Sequence, residues 1–262
     1  MGILNITPDS FSDGGSHARP ADAITHAYAM IADGADIIDI GGESTRPGAT
    51  EVPVEEELRR VLPVIEGLRR ETDIPISIDT RHAEVARAAL EAGADILNDV
   101  SALRHDPGMA GVAATSGAPV VLMHMAGTPA TMQHAPSYNN VTQDLSIFFE
   151  ERIAFCHATG ITDIVIDPGI GFGKTLAHNL QLLRELEVFA PLGCPLLVGT
   201  SRKSFLGALT GAEPRDRLPG TIASSLLAWR HGAGVLRVHD VRALRDALRV
   251  AEAIEEGVAD AV

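Results

Sequence analysis

The side chains best equipped for chemistry in this sequence recur at the downstream ends of short apolar runs. Asn5 ends GILN, Asp79 ends ISID, Asn98 and Asp99 end ILND, His124 ends VVLMH and Asp167 ends IVID. Gly42-Glu43-Ser44-Thr45-Arg46 follows DIIDIG, Ser201-Arg202-Lys203 follows LLVGT, and Arg237, His239 and Asp240 lie within VLRVHD. Charged and amide side chains of this kind are the donors and acceptors from which a ligand site is built. Burying or half-burying such groups costs several kcal/mol each unless they are paired or hold a ligand. One buried Asp is readily explained as the cap of a following helix; polar groups at each of eight strand ends point to a ligand.

The elements that must position these residues announce themselves by repetition. Gly34-Ala35-Asp36, Gly93-Ala94-Asp95, Gly117-Ala118-Pro119, Gly160 and Gly232-Ala233-Gly234 each precede an apolar run. Glycine just past a helix takes the left-handed conformation at low cost. Amphipathic stretches with helical spacing lie ahead of these glycines, for example Ala23, Ala27, Met30 and Ile31, or Val85, Ala88, Ala89 and Ala92. The runs show no in/out alternation, the pattern of parallel strands covered on both faces. Strands are predicted near 2–6, 36–41, 75–80, 95–100, 119–124, 163–168, 195–200 and 234–239. Helices are predicted over 20–33, 54–71, 82–92, 107–116, 140–159, 176–190, 219–231 and 241–256, with Pro63 kinking or shortening the second. Eight β-then-α units predict an α/β fold: one (β/α)8 TIM-barrel domain over residues 1–262, with every polar strand end at the same mouth. An open doubly wound sheet is the structural rival.

Composition narrows the function. With 35 Asp and Glu against 21 Lys and Arg, the net charge is −14, which argues against nucleic acid as a partner. No apolar run reaches the roughly 20 residues of a membrane span, and MGILNITPDS lacks the charged and apolar regions of a signal peptide. Two cysteines, Cys156 and Cys194, make no disulfide framework, so the expected location is cytoplasmic. Pro168-Gly169-Ile170-Gly171-Phe172-Gly173-Lys174-Thr175 comes within one residue of a phosphate-binding P-loop, but its first glycine is replaced by a proline that has no N–H to offer. Gly169, Gly171 and Gly173 then read as a mobile loop. His17, His26, His82, His105, His134, His157, His178 and His231 read as ordinary surface groups, whereas His124 and His239 sit at strand ends where a ligand is expected. No His/Cys zinc pattern is present. An oxygen-rich mouth containing Asn5 suits Mg²⁺ bridging a phosphate ester.

Met1-Gly2-Ile3-Leu4-Asn5-Ile6-Thr7-Pro8-Asp9-Ser10-Phe11-Ser12-Asp13-Gly14-Gly15 resembles the first signature of the dihydropteroate synthase family, and Asp39 to Gly48 (DIGGESTRPG) resembles the second. Ser77-Ile78-Asp79-Thr80, Leu97 to Val100, Leu122 to Met125, Asp167 to Lys174, Ser201 to Ser204 and Arg237 to Asp240 follow in that family's order, so the resemblance covers essentially the whole chain. It implies a homodimeric folate-pathway transferase joining 4-aminobenzoate to 6-hydroxymethyl-7,8-dihydropterin diphosphate, with release of diphosphate and 7,8-dihydropteroate. By the same resemblance Asp79, Asn98, Asp167 and Lys203 hold the pterin, with Met123 and Val100 against its ring. Asn5, Arg46, Arg237 and His239 take the diphosphate, and Asn5 also binds Mg²⁺. Thr45, Pro47, Phe172 and Ser201 line the 4-aminobenzoate site, with Phe11 closing over it. The loops Thr7–Gly15 and Gly42–Ala49 are expected to act as lids that order when ligands bind.

Two departures accompany the resemblance. Family members commonly carry residues ahead of the first signature, at which this sequence opens, and Ser101 stands where some relatives have a basic residue. The 201–204 stretch has no insertion, which implies ordinary sensitivity to sulfonamides. Two rivals stay open: a methyltransferase passing a methyl group from methyltetrahydrofolate to a corrinoid protein, and a non-catalytic pterin-binding subunit.

Overall fold

The computed structural model describes residues 1–7, 20–44, 51–128, 131–132 and 136–257. Six parallel strands pair in chain order: β1 (Gly2–Asn5), β2 (Ile38–Gly41), β3 (Ile76–Asp79), β4 (Ile96–Asp99), β5 (Val120–Met123) and β6 (Ile164–Asp167). Two shorter parallel strands, β7 (Leu197–Val198) and β8 (Val235–Leu236), form the remaining pair. Bridges from Ile166 to Leu196 and from Gly2 to Val238 join this pair to both edges of the larger sheet and close the barrel. The (β/α)8 prediction holds, and closure excludes the open sheet.

The helices are α1 (Pro20–Ala32), α2 (Val54–Arg69), α3 (Ala83–Glu91), α4 (Met109–Ser116), α5 (Val141–Ala158), α6 (Leu176–Arg184), α7 (Ser204–Thr210), α8 (Leu218–Arg230) and α9 (Val241–Glu256). In α2, Glu55, Glu56 and Glu57 favour the positive N-terminal end, and Val61, Val64, Ile65 and Leu68 form the buried stripe. Helix α2 runs through Pro63 to Arg69, so the expected early break does not occur. The predicted 176–190 helix instead divides into α6 and a 3-10 turn, Leu186–Leu192. Pro191 accounts for the change, because its ring excludes the α-helical bond pattern over the preceding turn. Helix α7 was not predicted; at seven residues it is too short to show amphipathic periodicity.

The strands do alternate, contrary to the sequence reading. Ile38 and Ile40, Ile76 and Ile78, Leu97, Leu122 and Ile166 face the apolar mantle packed under the helices. Between them Asp39, Asp79 and Asn98 meet inside the bore. The alternation is real but brief, two pairs per four-residue strand. Strand pairing aligns Asn5 with Gly41, Gly41 with Asp79, Asp79 with Asn98, and, one step higher, Met123 with Asp167. Paired residues in a parallel sheet share a face, so one register brings the polar strand ends onto a common inner wall.

Candidate active site

Two charged groupings occupy the C-terminal mouth. In the first, the guanidinium of Arg237, just past β8, donates through Nε to Asp39 Oδ2 at 2.6 Å and through Nη2 to Asp79 Oδ2 at 2.9 Å. Asn98 Nδ2 donates to the same Asp39 carboxylate at 3.2 Å. One cation thus serves two buried carboxylates. Burial, together with the neighbouring charge of Asp39, pushes the Asp79 carboxyl up to about 8 despite Arg237. The surrounding carboxylates hold the Arg237 guanidinium above its ordinary range. Asp79 Oδ1 is buried with no hydrogen-bond partner among the described residues, an acceptor facing no donor.

In the second grouping, Asp167 feels the charge of two lysines, Lys203 and Lys174. Its Oδ1 accepts from Gly169 N at 2.7 Å, and burial raises its carboxyl pKa against the pull of Lys203. Lys203 donates to the Ile170 carbonyl and sits 4.6 Å from the centre of the Phe172 ring. Burial brings its ammonium down to about 8. Lys174 is buried more deeply: its three donors meet His124 Nδ1 at 3.0 Å, His124 O at 3.2 Å and Phe172 O at 3.0 Å, and burial lowers it to about 7. His124, edge-on to Phe148 at 4.8 Å, is lowered to about 2 by burial and by Lys174. This neutral imidazole is engaged by Lys174, so its expected ligand role gives way to a structural one.

A small apolar cluster separate from the main core adjoins these charges. Val100, Met123, Met125 and Met132 are buried together, with Phe172 packed on them. Met123 is paired in register with Asp167 and Phe172 carries Lys203, so this apolar surface lies alongside the charged wall. The loop that supplies Phe172 is built to close tolerances. Gly169 has φ +65°, and a Cβ there would come 2.0 Å from the His124 carbonyl. At Gly173, φ +63°, a Cβ would meet Ala126 at 2.7 Å. These glycines permit close packing of the β6 loop on the β5 end, where the sequence reading expected a mobile loop.

Ser201 and His239 are joined: Ser201 Oγ lies 2.9 Å from His239 Nδ1 and accepts from His239 N at 3.2 Å. Arg202, with φ +58°, turns away to pair with Asp240 at 2.7 Å. Asn5 lies at the end of β1, paired in register with Gly41. Its amide oxygen is the kind of hard donor that Mg²⁺ takes. Phe11, Thr45, Arg46 and Pro47 lie outside the described residues, as do most of the two loops expected to act as lids.

Sequence reasoning passed over four buried groups. Asp39 was visible in the I-D-I-G alternation but precedes its strand end. Lys174 was visible as the lysine of the near-P-loop. Arg81 makes a buried double contact with Glu43, at 2.8 and 3.0 Å. His82, read as a surface group, is only 9% exposed and bonds Glu57 at 2.8 Å. Neither ion pair leaves a short-range signal, because the partners come from different β/α units.

A family model described as pterin binding enzyme matches residues 1–239. The dihydropteroate synthase of Escherichia coli (strain K12) is 51% identical over 255 residues, covering 97% of this chain and 90% of that protein. The dihydropteroate synthase of Synechocystis is 49% identical over 257 residues, covering 97% and 89%. Among solved structures, Xanthomonas albilineans dihydropteroate synthase with 4-aminobenzoic acid superposes with a TM-score of 0.92 at 52% identity, covering 98% of this chain and 92% of that one. The same enzyme in complex with 7,8-dihydropteroate gives 0.89 at 48% identity, covering 98% and 93%. Yersinia pestis dihydropteroate synthase in a sulfonamide drug complex gives 0.93 at 47%, covering 98% and 94%.

Proposed function

Because the chain belongs to the pterin-binding enzyme family, we propose that it catalyses dihydropteroate synthesis, the reaction named for its relatives at about half identity over nearly full length. The structural observation that carries this reading is the apolar patch of Val100, Met123 and Phe172 beside Asp167 and Lys203, with Asp79 and Asn98 on the same inner wall. A flat, nitrogen-rich bicycle needs that combination: an apolar surface for its faces, and acceptors for its 2-amino and ring N–H groups.

In this reading Asp79, Asn98 and Asp167 accept from or align the pterin edge, while Lys203 donates to its ring carbonyl or N5. Asn5, Arg46, Arg237 and His239 receive the diphosphate. Thr45, Pro47, Phe172 and Ser201 border 4-aminobenzoate, with Phe11 above it. Asn5 would hold Mg²⁺, which when bound supplies charge neutralisation for the diphosphate. The methylene–oxygen bond breaks with its electron pair leaving on diphosphate, and the electron-rich pterin carries the resulting positive charge, stabilised by the carboxylates. The arylamine lone pair then attacks the methylene and one N–H proton is released. The amine is weakly basic and already nucleophilic, so the step asks for no strong general base.

With 6-hydroxymethyl-7,8-dihydropterin diphosphate and 4-aminobenzoate together, release of diphosphate with dihydropteroate formed in equal amount is the expected result. Pterin binding without diphosphate release would instead favour a binding subunit, and methyl transfer from methyltetrahydrofolate to a corrinoid protein would favour the methyltransferase. Sulfonamides should inhibit in competition with 4-aminobenzoate. A homodimer is supported by apolar side chains left exposed on successive helices, Leu209 on α7, Leu227 on α8 and Val250 and Ile254 on α9. Sedimentation at micromolar concentration tests it. The free cysteines Cys156 and Cys194 are compatible with a cytoplasmic location, and no helix among the described residues is long and apolar enough to cross a membrane.

A further inference from the structure

Outside the bore, three side chains from different β/α loops converge on the rim. Glu51 precedes α2, His82 caps α3, and His105 lies in the loop after β4. Glu51 Oε1 is 3.5 Å from His82 Nε2 and 3.6 Å from His105 Nε2. One ligand atom from each residue falls within 4.8 Å of the other two. Zinc bonds of ~2.1 Å in tetrahedral geometry set ligand atoms about 3.4 Å apart, so two of the three edges already have the right length.

The surroundings of His82 give independent support. Its Nδ1 is 2.8 Å from Glu57 Oε2, and Glu57 is completely buried on α2. A carboxylate on Nδ1 holds the proton there and leaves Nε2 as the basic nitrogen turned toward Glu51 and His105; the same orienting pair accompanies histidines that ligate zinc. The second oxygen of Glu57, Oε1, is buried without a partner among the described residues. The two imidazoles meet edge-on, with centroids 5.4 Å apart, an approach that holds both rings at the same place. The local charge favours a cation as well: Asp106 accepts from the Ala83 and Gly108 backbone N–H groups beside the site, and Glu57, with Glu43 beyond it, raises the His82 imidazole above its ordinary value. The nearby Arg81, 4.0 Å from Glu51, is committed to Glu43 through the double contact.

We propose that Glu51, His82 and His105 form a site for a divalent transition metal of the zinc class, separate from the Asn5 position. Two imidazoles and one carboxylate leave a fourth place for water, and nitrogen ligands select against Mg²⁺. Glu51 is the first described residue after positions 45–50, which include Thr45, Arg46 and Pro47. A bound ion would therefore tie Glu51 to the loops after β3 and β4.

The test uses the tag-free full chain, stripped with chelator and kept in excess Mg²⁺, titrated with Zn²⁺ in a calorimeter and with Co²⁺ in a spectrophotometer. One equivalent of Zn²⁺ should bind, raise the melting temperature and release protons, and Co²⁺ should show the intense visible bands of low coordination. His105→Ala, a change at a part-exposed side chain, should weaken Zn²⁺ at least ~100-fold, and Glu57→Gln should weaken it ~10–100-fold. Both variants should keep wild-type activity in excess Mg²⁺ with no Zn²⁺ added. Absence of Zn²⁺ uptake by the wild-type chain at micromolar free ion, or uptake unchanged by His105→Ala, overturns the proposal.

Discussion

The two charged groupings of the mouth are built with opposite imbalance. Where β2, β3 and β8 meet, two carboxylates, Asp39 and Asp79, share the single cation Arg237. Beyond β6, the charges of two lysines, Lys174 and Lys203, act on the single carboxylate Asp167. The pKa values diverge accordingly: Asp79 rises to about 8, whereas Lys174 falls to about 7 and Lys203 to about 8. Burial penalises charge in both places, and each side lacks the counter-charge the other has in excess. A ligand that donates hydrogen bonds at one edge and accepts them at another supplies what each grouping lacks. The site is thus poised for a bicycle with both kinds of edge.

The largest effect should come from removing the shared cation. Arg237→Met leaves Asp39 and Asp79 uncompensated, and chemical denaturation should show a loss of about 3 kcal/mol. A variant as stable as the wild type would mean that the two carboxylates do not depend on Arg237. Next, Asp79→Asn and Asp167→Asn should each cut kcat by about 10²–10³-fold while circular dichroism shows the fold retained. Wild-type turnover in both would dissolve the assignment of either grouping to the pterin. Lys203→Met should cost about 10–100-fold in kcat/KM, and Lys174→Met much less, because the Lys174 ammonium is already satisfied by His124 and Phe172. Equal losses would erase the distinction between a lysine that meets substrate and one that holds a loop.

The smallest and sharpest test is the pH dependence of stability. Asp79 binds its proton more tightly folded than unfolded, so its contribution is complete below about 3.8 and is lost as pH rises through about 8. Measured against Asp79→Asn, the wild type should therefore lose stability across that window. Lys174 binds its proton less tightly when folded, so its penalty is felt below about 7 and lifts as pH approaches 10.5. Measured against Lys174→Met, the wild type should gain stability over that interval. Slopes of the same sign would refute the opposed imbalance.

Much of this architecture could be read along the chain. Eight glycine-punctuated β/α units predict a barrel because each strand is short, parallel and separated from the next by a helix, and that information is local. The polar strand ends Asn5, Asp79, Asn98 and Asp167 stood out for the same reason: a charged residue closing an apolar run has few explanations. Strands β7 and β8 shrank to two residues each, and α7 appeared unannounced, because elements this short carry too few residues to show a period.

The sequence by itself therefore determined the order of elements, the common rim and most of the chemistry there. The tertiary structure alone decided which charges pair. Asp39 finds Arg237 across 198 residues, Arg81 finds Glu43, and Lys174 turns to His124 rather than to a ligand. Glu51, His82 and His105, unrelated in spacing, meet on one edge of the mouth. Pairing of this kind depends on barrel closure and strand stagger, which convert distant positions into neighbours. Burial then sets the cost of every charge that closure leaves unmatched.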